Sequence, residues 1–215
     1  MGFHFIRGFS VQVLPRLLTA FAVVAVSVSA QAATTVYTSS ATFLAALAPG
    51  AYTETFTGLA NPSGADPMVF TGSGFSYTAA SLPTGLYLEG GALSANQVDQ
   101  SVTISFGPNI HAIGADFFAV NISDEFQPAS VTVSLGDGTV ETFTSTSAAD
   151  SFRGFVSTAA ITSLTFTAPV QQSLYASIDN LTVGNAIGVP VPEPASVLLF
   201  GLGLAGLAAA RRRSA

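Results

Sequence analysis

The chain contains no cysteine, no lysine and no tryptophan, and only 8% of its residues are charged. Without cysteine there is no disulfide, no thiolate nucleophile and no cysteine-based metal site, so stability must come from packing. The six cations are all arginines: Arg7, Arg16, Arg153, Arg211, Arg212 and Arg213. Five lie near the ends, so Arg153 stands alone between residues 33 and 188 against Glu54, Asp66, Glu89, Asp99, Asp116, Asp124, Glu125, Asp137, Glu141, Asp150 and Asp179. Such a surface repels phosphate backbones, which excludes nucleic acid as a partner. It suits cations and keeps an exported protein soluble. Histidine is nearly missing too. His111, the one histidine of this stretch, sits in an apolar run and reads as a packed core or edge residue rather than a base. There is no Gly-x-Ser-x-Gly elbow, no His-Glu-x-x-His and no phosphate-cradling loop, so the chain is not expected to be an enzyme. A glycosidase-type pair of acids is the one catalytic arrangement left open, because spacing in sequence says nothing about their approach.

What is present is strongest at the two ends. Arg7 and Arg16 precede an uncharged apolar run, 17–26, and Ala30-Gln31-Ala32 then supplies the small-x-small pattern that signal peptidase accepts. Residues 1–32 therefore read as a secretory signal, with cleavage at Ala30 and Ala32. The other reading, an uncleaved membrane helix, needs about 20 apolar residues, more than the run offers. At the far end, residues 189–194 form a proline-rich hinge ending in Pro192-Glu193-Pro194. An uncharged stretch, 195–210, follows, about 24 Å long as a helix at ~1.5 Å per residue. Arg211, Arg212 and Arg213 then form a cationic stop that should stay cytoplasmic, leaving the hinge at the outer face.

This ending resembles the PEP-CTERM protein-sorting segment of Gram-negative bacteria, in which motif, helix and arginine tail come in this order. The segment also goes by the label ice-binding-protein C-terminal domain, a name that denotes no activity. The resemblance covers only the final two dozen residues or so. It implies that an exosortase, a membrane enzyme, recognises Pro192, Glu193 and Pro194 and cleaves nearby. It further implies a precursor anchored in the inner membrane, then a product at the cell surface or in the extracellular matrix, in an exopolysaccharide or biofilm setting.

Between the ends, residues 33–188 read as one exported domain. Ser40 to Leu47 carries a short helix signal that stops at Pro49-Gly50. Beyond it the apolar period is near two: Val102, Ile104 and Phe106; Val131, Val133 and Leu135; Leu164 and Phe166. Gly136-Asp137-Gly138 marks a hairpin. Further strands are expected at 52–57, 75–79, 85–88, 152–156 and 174–183. Ile110 to Val120 is apolar on both faces and reads as a central, covered strand, with Gly114 marking a bulge or close packing. About ten short strands at this spacing predict an all-β fold, an antiparallel jelly-roll β-sandwich, flanked by a signal helix and a C-terminal transmembrane helix.

One candidate site emerges. Glu54 lies on the first of these expected strands and Asp179-Asn180 on the last, and jelly rolls commonly place first and last strands side by side. The Glu-Thr-Phe and Ile-Asp-Asn pieces loosely resemble those of lectin-like and carbohydrate-binding sandwiches. That resemblance implies structural Ca²⁺ held by Glu54 and Asp179, with Asn180 or backbone carbonyls assisting. The plainer alternative is that Asp179-Asn180 caps a turn or pairs with Arg153. Asp137 reads as a turn residue, Asp124-Glu125 as a solvated loop, and Arg153 as a salt-bridge partner or a clamp on an anionic sugar. Glycan platforms favour tryptophan, and only Tyr37, Tyr52, Tyr77, Tyr87 and Tyr175 stand in its place. The expected role is a non-catalytic structural or adhesive protein in extracellular polysaccharide, with exosortase and signal peptidase as processing partners. A calcium-dependent carbohydrate-binding module is the alternative.

Overall fold

The computed structural model describes residues 33–61, 67–170 and 172–188. The signal segment 1–32 with Ala30 and Ala32 lies outside the described residues. So does the sorting segment 189–215, with Pro192, Glu193, Pro194, the apolar stretch 195–210, and Arg211, Arg212 and Arg213. Among the described residues no helix is long and apolar enough to cross a membrane.

The elements are β1 (Thr34–Tyr37), α1 (Ser40–Ala45), β2 (Tyr52–Glu54), β3 (Met68–Gly72), β4 (Phe75–Ala80), β5 (Leu86–Glu89), β6 (Ala92–Ala95), β7 (Ser101–Phe106), β8 (Ala112–Val120), β9 (Phe126–Gln127), β10 (Ala129–Leu135), β11 (Val140–Ser145), β12 (Phe152–Ser157), β13 (Ser163–Thr167) and β14 (Tyr175–Gly184). They form two antiparallel sheets. The first runs β1-β12-β8-β14-β6-β5, with β2 on β14 and β9 on β8; the second runs β11-β10-β13-β7-β4-β3. From β6 to β14 the chain crosses between the sheets at every step except the within-sheet pairs β8-β9 and β10-β11, so β6-β14-β8-β12 faces β7-β13-β10-β11. The alternating residues explain this. Val131, Val133 and Leu135, like Leu164 and Phe166, bury one face against the opposite sheet while serines and threonines between them stay more accessible. Phe117 of β8 meets Phe166 of β13 across the core, with ring centroids 5.2 Å apart.

Two expected boundaries are corrected. The helix ends at Ala45 rather than Leu47, because Leu47 instead bridges to Ala186 beside β14. The strand expected over 52–57 ends at Glu54, because Phe56 takes a positive φ of 54° and is buried in the core.

β8 is central, as its apolar character implied, with β12 on one side and β14 on the other. Its inner residues Ile113, Ala115, Phe117 and Ala119 join the main core. Its outer face is covered at one end by α1, whose Phe43 packs with Ala112, Phe152 and Val156 in a second, smaller core. Gly114 and Gly154 lie opposite each other on β8 and β12. A Cβ on Gly114 would come 2.6 Å from the Phe43 ring and one on Gly154 2.5 Å from it. The glycine pair is thus the seat that lets the ring touch the backbone, which is close packing rather than a bulge. The bulge of this sheet lies in β14, between Asp179 and Thr182.

Both ends of the described domain meet at one end of the first sheet. The Thr158 backbone N–H donates to the Ala33 carbonyl at 3.1 Å, and the Ala33 N–H donates to the Thr158 hydroxyl, also at 3.1 Å. After β14, the Ile187 N–H donates to the Ala46 carbonyl at 2.9 Å. Ala33, Tyr37, Ile187 and Gly188 line one groove there.

Candidate functional site

β2 pairs with β14, with Glu54 opposite Leu181, so the expected neighbourhood of first and last expected strands is present. Directly opposed residues in antiparallel strands share a face. Glu54 therefore shares the core-side face of Leu181. There it accepts hydrogen bonds from the Tyr52 hydroxyl and, at 2.9 Å, from the Phe56 backbone N–H. Burial, the hydrogen bond to Glu54 and its charge push the Tyr52 phenol up to about 12. The neighbouring Tyr77 hydroxyl is buried with no hydrogen-bond partner among the described residues, and burial raises its pKa well above the tyrosine range.

Asp179 lies on the other face of the same sheet. It is opposite Asp116 of β8, whose chain neighbours Ala115 and Phe117 point into the core. The bulge puts Asn180 at a φ of 52°, and its amide spans the two acids, donating to Asp116 Oδ2 at 2.9 Å and to Asp179 Oδ2 at 3.1 Å. The Asn180 N–H donates to Asp179 Oδ1 at 2.6 Å, and the Ser151 hydroxyl donates to Asp116 Oδ1 at 3.1 Å. Burial pushes the Asp179 carboxyl up; the Asn180 N–H opposes this, and the Asp116 charge adds to the rise. The structure thus brings Asp179 and Asn180 together with Asp116, and puts Glu54 on the opposite side of the sheet. Among the described residues no group of three or more histidine and acidic side chains is placed to hold a metal ion. Sequence pattern did not single out Asp116, because it sits inside an apolar run.

The other singled-out residues have structural partners. The Arg153 guanidinium lies 3.6 Å from the centroid of the Phe143 ring, pairs with Glu141 at 3.4 Å, and donates to the Phe152 carbonyl at 2.7 Å. Its positive charge is held within the fold rather than offered to a ligand. Asp137 accepts from the Thr139 backbone N–H at 2.8 Å in its turn and from the Thr34 hydroxyl at 2.7 Å. Burial works against its charged form, but these hydrogen bonds prevail and its pKa is lowered. His111 is half-buried, with Nδ1 3.4 Å from the Ser157 carbonyl oxygen.

Residues 190–213 match the PEP-CTERM protein-sorting motif. No curated protein and no solved structure matches the chain. The motif indicates exosortase-dependent sorting to the cell surface, and it follows directly on the end of the sandwich at which both chain ends emerge.

Proposed function

We propose that this chain is a surface-displayed, non-catalytic β-sandwich of jelly-roll type, sorted by an exosortase in a Gram-negative bacterium. In this reading it acts as a structural or adhesive component of extracellular polysaccharide or biofilm. The carrying observation is the sorting motif at 190–213. The jelly-roll assignment is supported by the two facing four-strand sets and by the repeated crossings between them from β6 to β14, broken only by the pairs β8-β9 and β10-β11. The acidic surface fits a soluble exported domain. The precursor enters the membrane through residues 195–210, with Arg211, Arg212 and Arg213 on the cytoplasmic side. Signal peptidase acts after Ala32, and exosortase near Pro192-Glu193-Pro194.

The test is the mass of the mature protein recovered from its native host. Both ends should be missing, and replacing Pro192, Glu193 and Pro194 with alanine should leave the tail uncut. Normal trimming of that triple variant would refute the exosortase assignment.

The second reading is a calcium-dependent carbohydrate-binding module. The facing carboxylates of Asp116 and Asp179, joined through Asn180, favour it. Calorimetric titration of the protein with Ca²⁺ tests it: no heat and an unchanged melting temperature would remove it.

A further inference from the structure

At the end of the first sheet away from Ala33 and Gly188, the outer face opens into a cleft of about 240 Å³. Four sequence segments build it. Tyr87 of β5 lies opposite Ser94 of β6, and Ser94 lies opposite Ser177 of β14, so all three share one face. Tyr175, two residues before Ser177, points the same way. The two tyrosines stand two strands apart, roughly 10 Å at ~4.8 Å per strand. Ser94 lines the floor between them, its hydroxyl 2.7 Å from that of Ser177.

The remaining wall is the loop after β8. Asn121 Oδ1 accepts from the Ser123 and Glu125 backbone N–H groups at 2.9 and 3.1 Å, and its Nδ2 donates to Glu125 at 2.8 Å. The loop is therefore braced from within. It presents Ile122, 80% exposed, and Asp124 to the cleft. Asp124 holds a φ of 59°, a conformation stable here because the loop is tied on both sides. Among the described residues, neither the Asp124 carboxylate nor the Tyr175 hydroxyl makes a hydrogen bond. Asn96 is exposed and uses its Nδ2 on the Thr84 carbonyl at 3.2 Å, and among the described residues its side-chain carbonyl oxygen accepts no hydrogen bond.

These features select a ligand class. Among the described residues no cation lines the cleft, and the charges of Asp124 and Glu89 reach the Tyr87 phenol. Phosphates, sulfates and uronates are therefore repelled. The volume falls below the ~300–1,000 Å³ of pockets for drug-sized molecules, so the occupant is small or enters only in part. Two aromatic rings with a free carboxylate and a free amide carbonyl match a polyhydroxylated ring. Its C–H face stacks on tyrosine, and its hydroxyls donate to Asp124 and Asn96. Position adds an independent argument. β14 runs from Tyr175 at the cleft to Gly184 beside the chain ends, about 30 Å at ~3.3 Å per residue. The cleft thus lies at the end of the sandwich remote from Ala33 and Gly188, the first and last described residues.

We propose that this cleft binds one or two neutral hexopyranose units within a polysaccharide chain, stacked on Tyr87 and Tyr175 and hydrogen-bonded through Asp124 and Asn96. The inference rests on the surface-display reading for access to such polymers.

The full exported protein, purified in detergent, is titrated calorimetrically with neutral hexasaccharides of glucose, galactose and mannose in α and β linkage. Hexamers of glucosamine and galacturonate form the cationic and anionic arms. At least one neutral hexamer should bind. Tyr87→Ala and Tyr175→Ala should each weaken binding at least about tenfold, and Asp124→Asn at least about threefold, with unchanged melting temperatures. Tyr175→Phe should retain most of the affinity, since stacking survives. Absence of heat with every neutral hexamer overturns the inference, as does binding indifferent to both tyrosine truncations or confined to a charged hexamer. The mass of the same preparation reports tail processing. A correctly trimmed protein that fails to bind rejects the cleft alone, whereas an untrimmed one rejects the sorting reading.

Discussion

Phe43 on its glycine seat is the contact with the sharpest thermodynamic signature. The ring is fully buried, and Cβ atoms added at Gly154 and Gly114 would meet it at 2.5 and 2.6 Å from two neighbouring strands. Phe43→Ala removes the centre of the smaller core and should cost ~3–5 kcal/mol. For a domain of about 150 residues that lowers the melting temperature by roughly 6–20 °C, at ~2–4 °C per kcal/mol. Gly154→Ala drives a methyl group into the ring. Gly114 blocks escape on the other strand, so overpacking should cost ~1–3 kcal/mol. In the Phe43→Ala background the two ring contacts are gone and only the Cβ of residue 43, at 3.1 Å, remains close, so the cost of the same methyl should fall. Equilibrium urea denaturation of the four proteins, followed by circular dichroism, gives the coupling, expected at ~1–3 kcal/mol. If Gly154→Ala destabilises both backgrounds equally, the seat does not exist and the strain lies in the strand backbone.

Three further outcomes follow from the same structure. Arg153→Ala should cost about 1–2 kcal/mol, mostly from loss of the stacked Phe143 ring, while Glu141→Gln should cost less than about 1; equal losses in urea midpoint would assign the contribution to the ion pair. Arg153→Lys should recover little, because an ammonium cannot lie flat on the ring. Hydrogen bonds led by that from the Thr146 hydroxyl hold Asp150 at about 2, below its unfolded value of ~3.9. Its contribution is therefore complete above that unfolded value and drains as pH falls toward about 2. Asp150→Asn should flatten the acid limb of the melting curve there, and an acid limb of unchanged slope would refute this. Asp179 has the opposite sign: its raised pKa is a penalty at neutral pH that is relieved on acidification. Asp179→Asn should not lower the melting temperature at pH ~7, and a clear drop would show that its charge is needed.

Much of the sandwich is written in local pattern. Val102 and Ile104, Val131 to Leu135, and Leu164 with Phe166 alternate because one face of each strand meets the opposite sheet. Gly136-Asp137-Gly138 announces its hairpin because the Asp137 carboxylate closes the turn on Thr139. What pattern missed is short or wet. β1 shows no apolar face, β9 has two residues, and β6 is a four-residue strand whose Ser94 is buried opposite Ser177. The adjacency of β2 and β14 was legible from jelly-roll connectivity, yet the face each acid occupies was not. A bulge at Asp179–Thr182 changes which side chains point outward, and bulges leave no period to read. Asp116, Ser151 and Asn180 come together from three strands or turns, and nothing local to any of them marks the others. The same holds for the distal cleft, whose tyrosines are far apart in sequence and meet only through the order β5-β6-β14.

The first residues of the described domain have no slack. Ala33 is clamped to Thr158 in both directions, and β1 is laced along β12 from Thr34 to Tyr37. A chain cut after Ala32 would begin inside a hydrogen-bonded ladder, without a loose arm for aminopeptidases to grip. Digestion from that end would first require peeling a strand off the sheet edge.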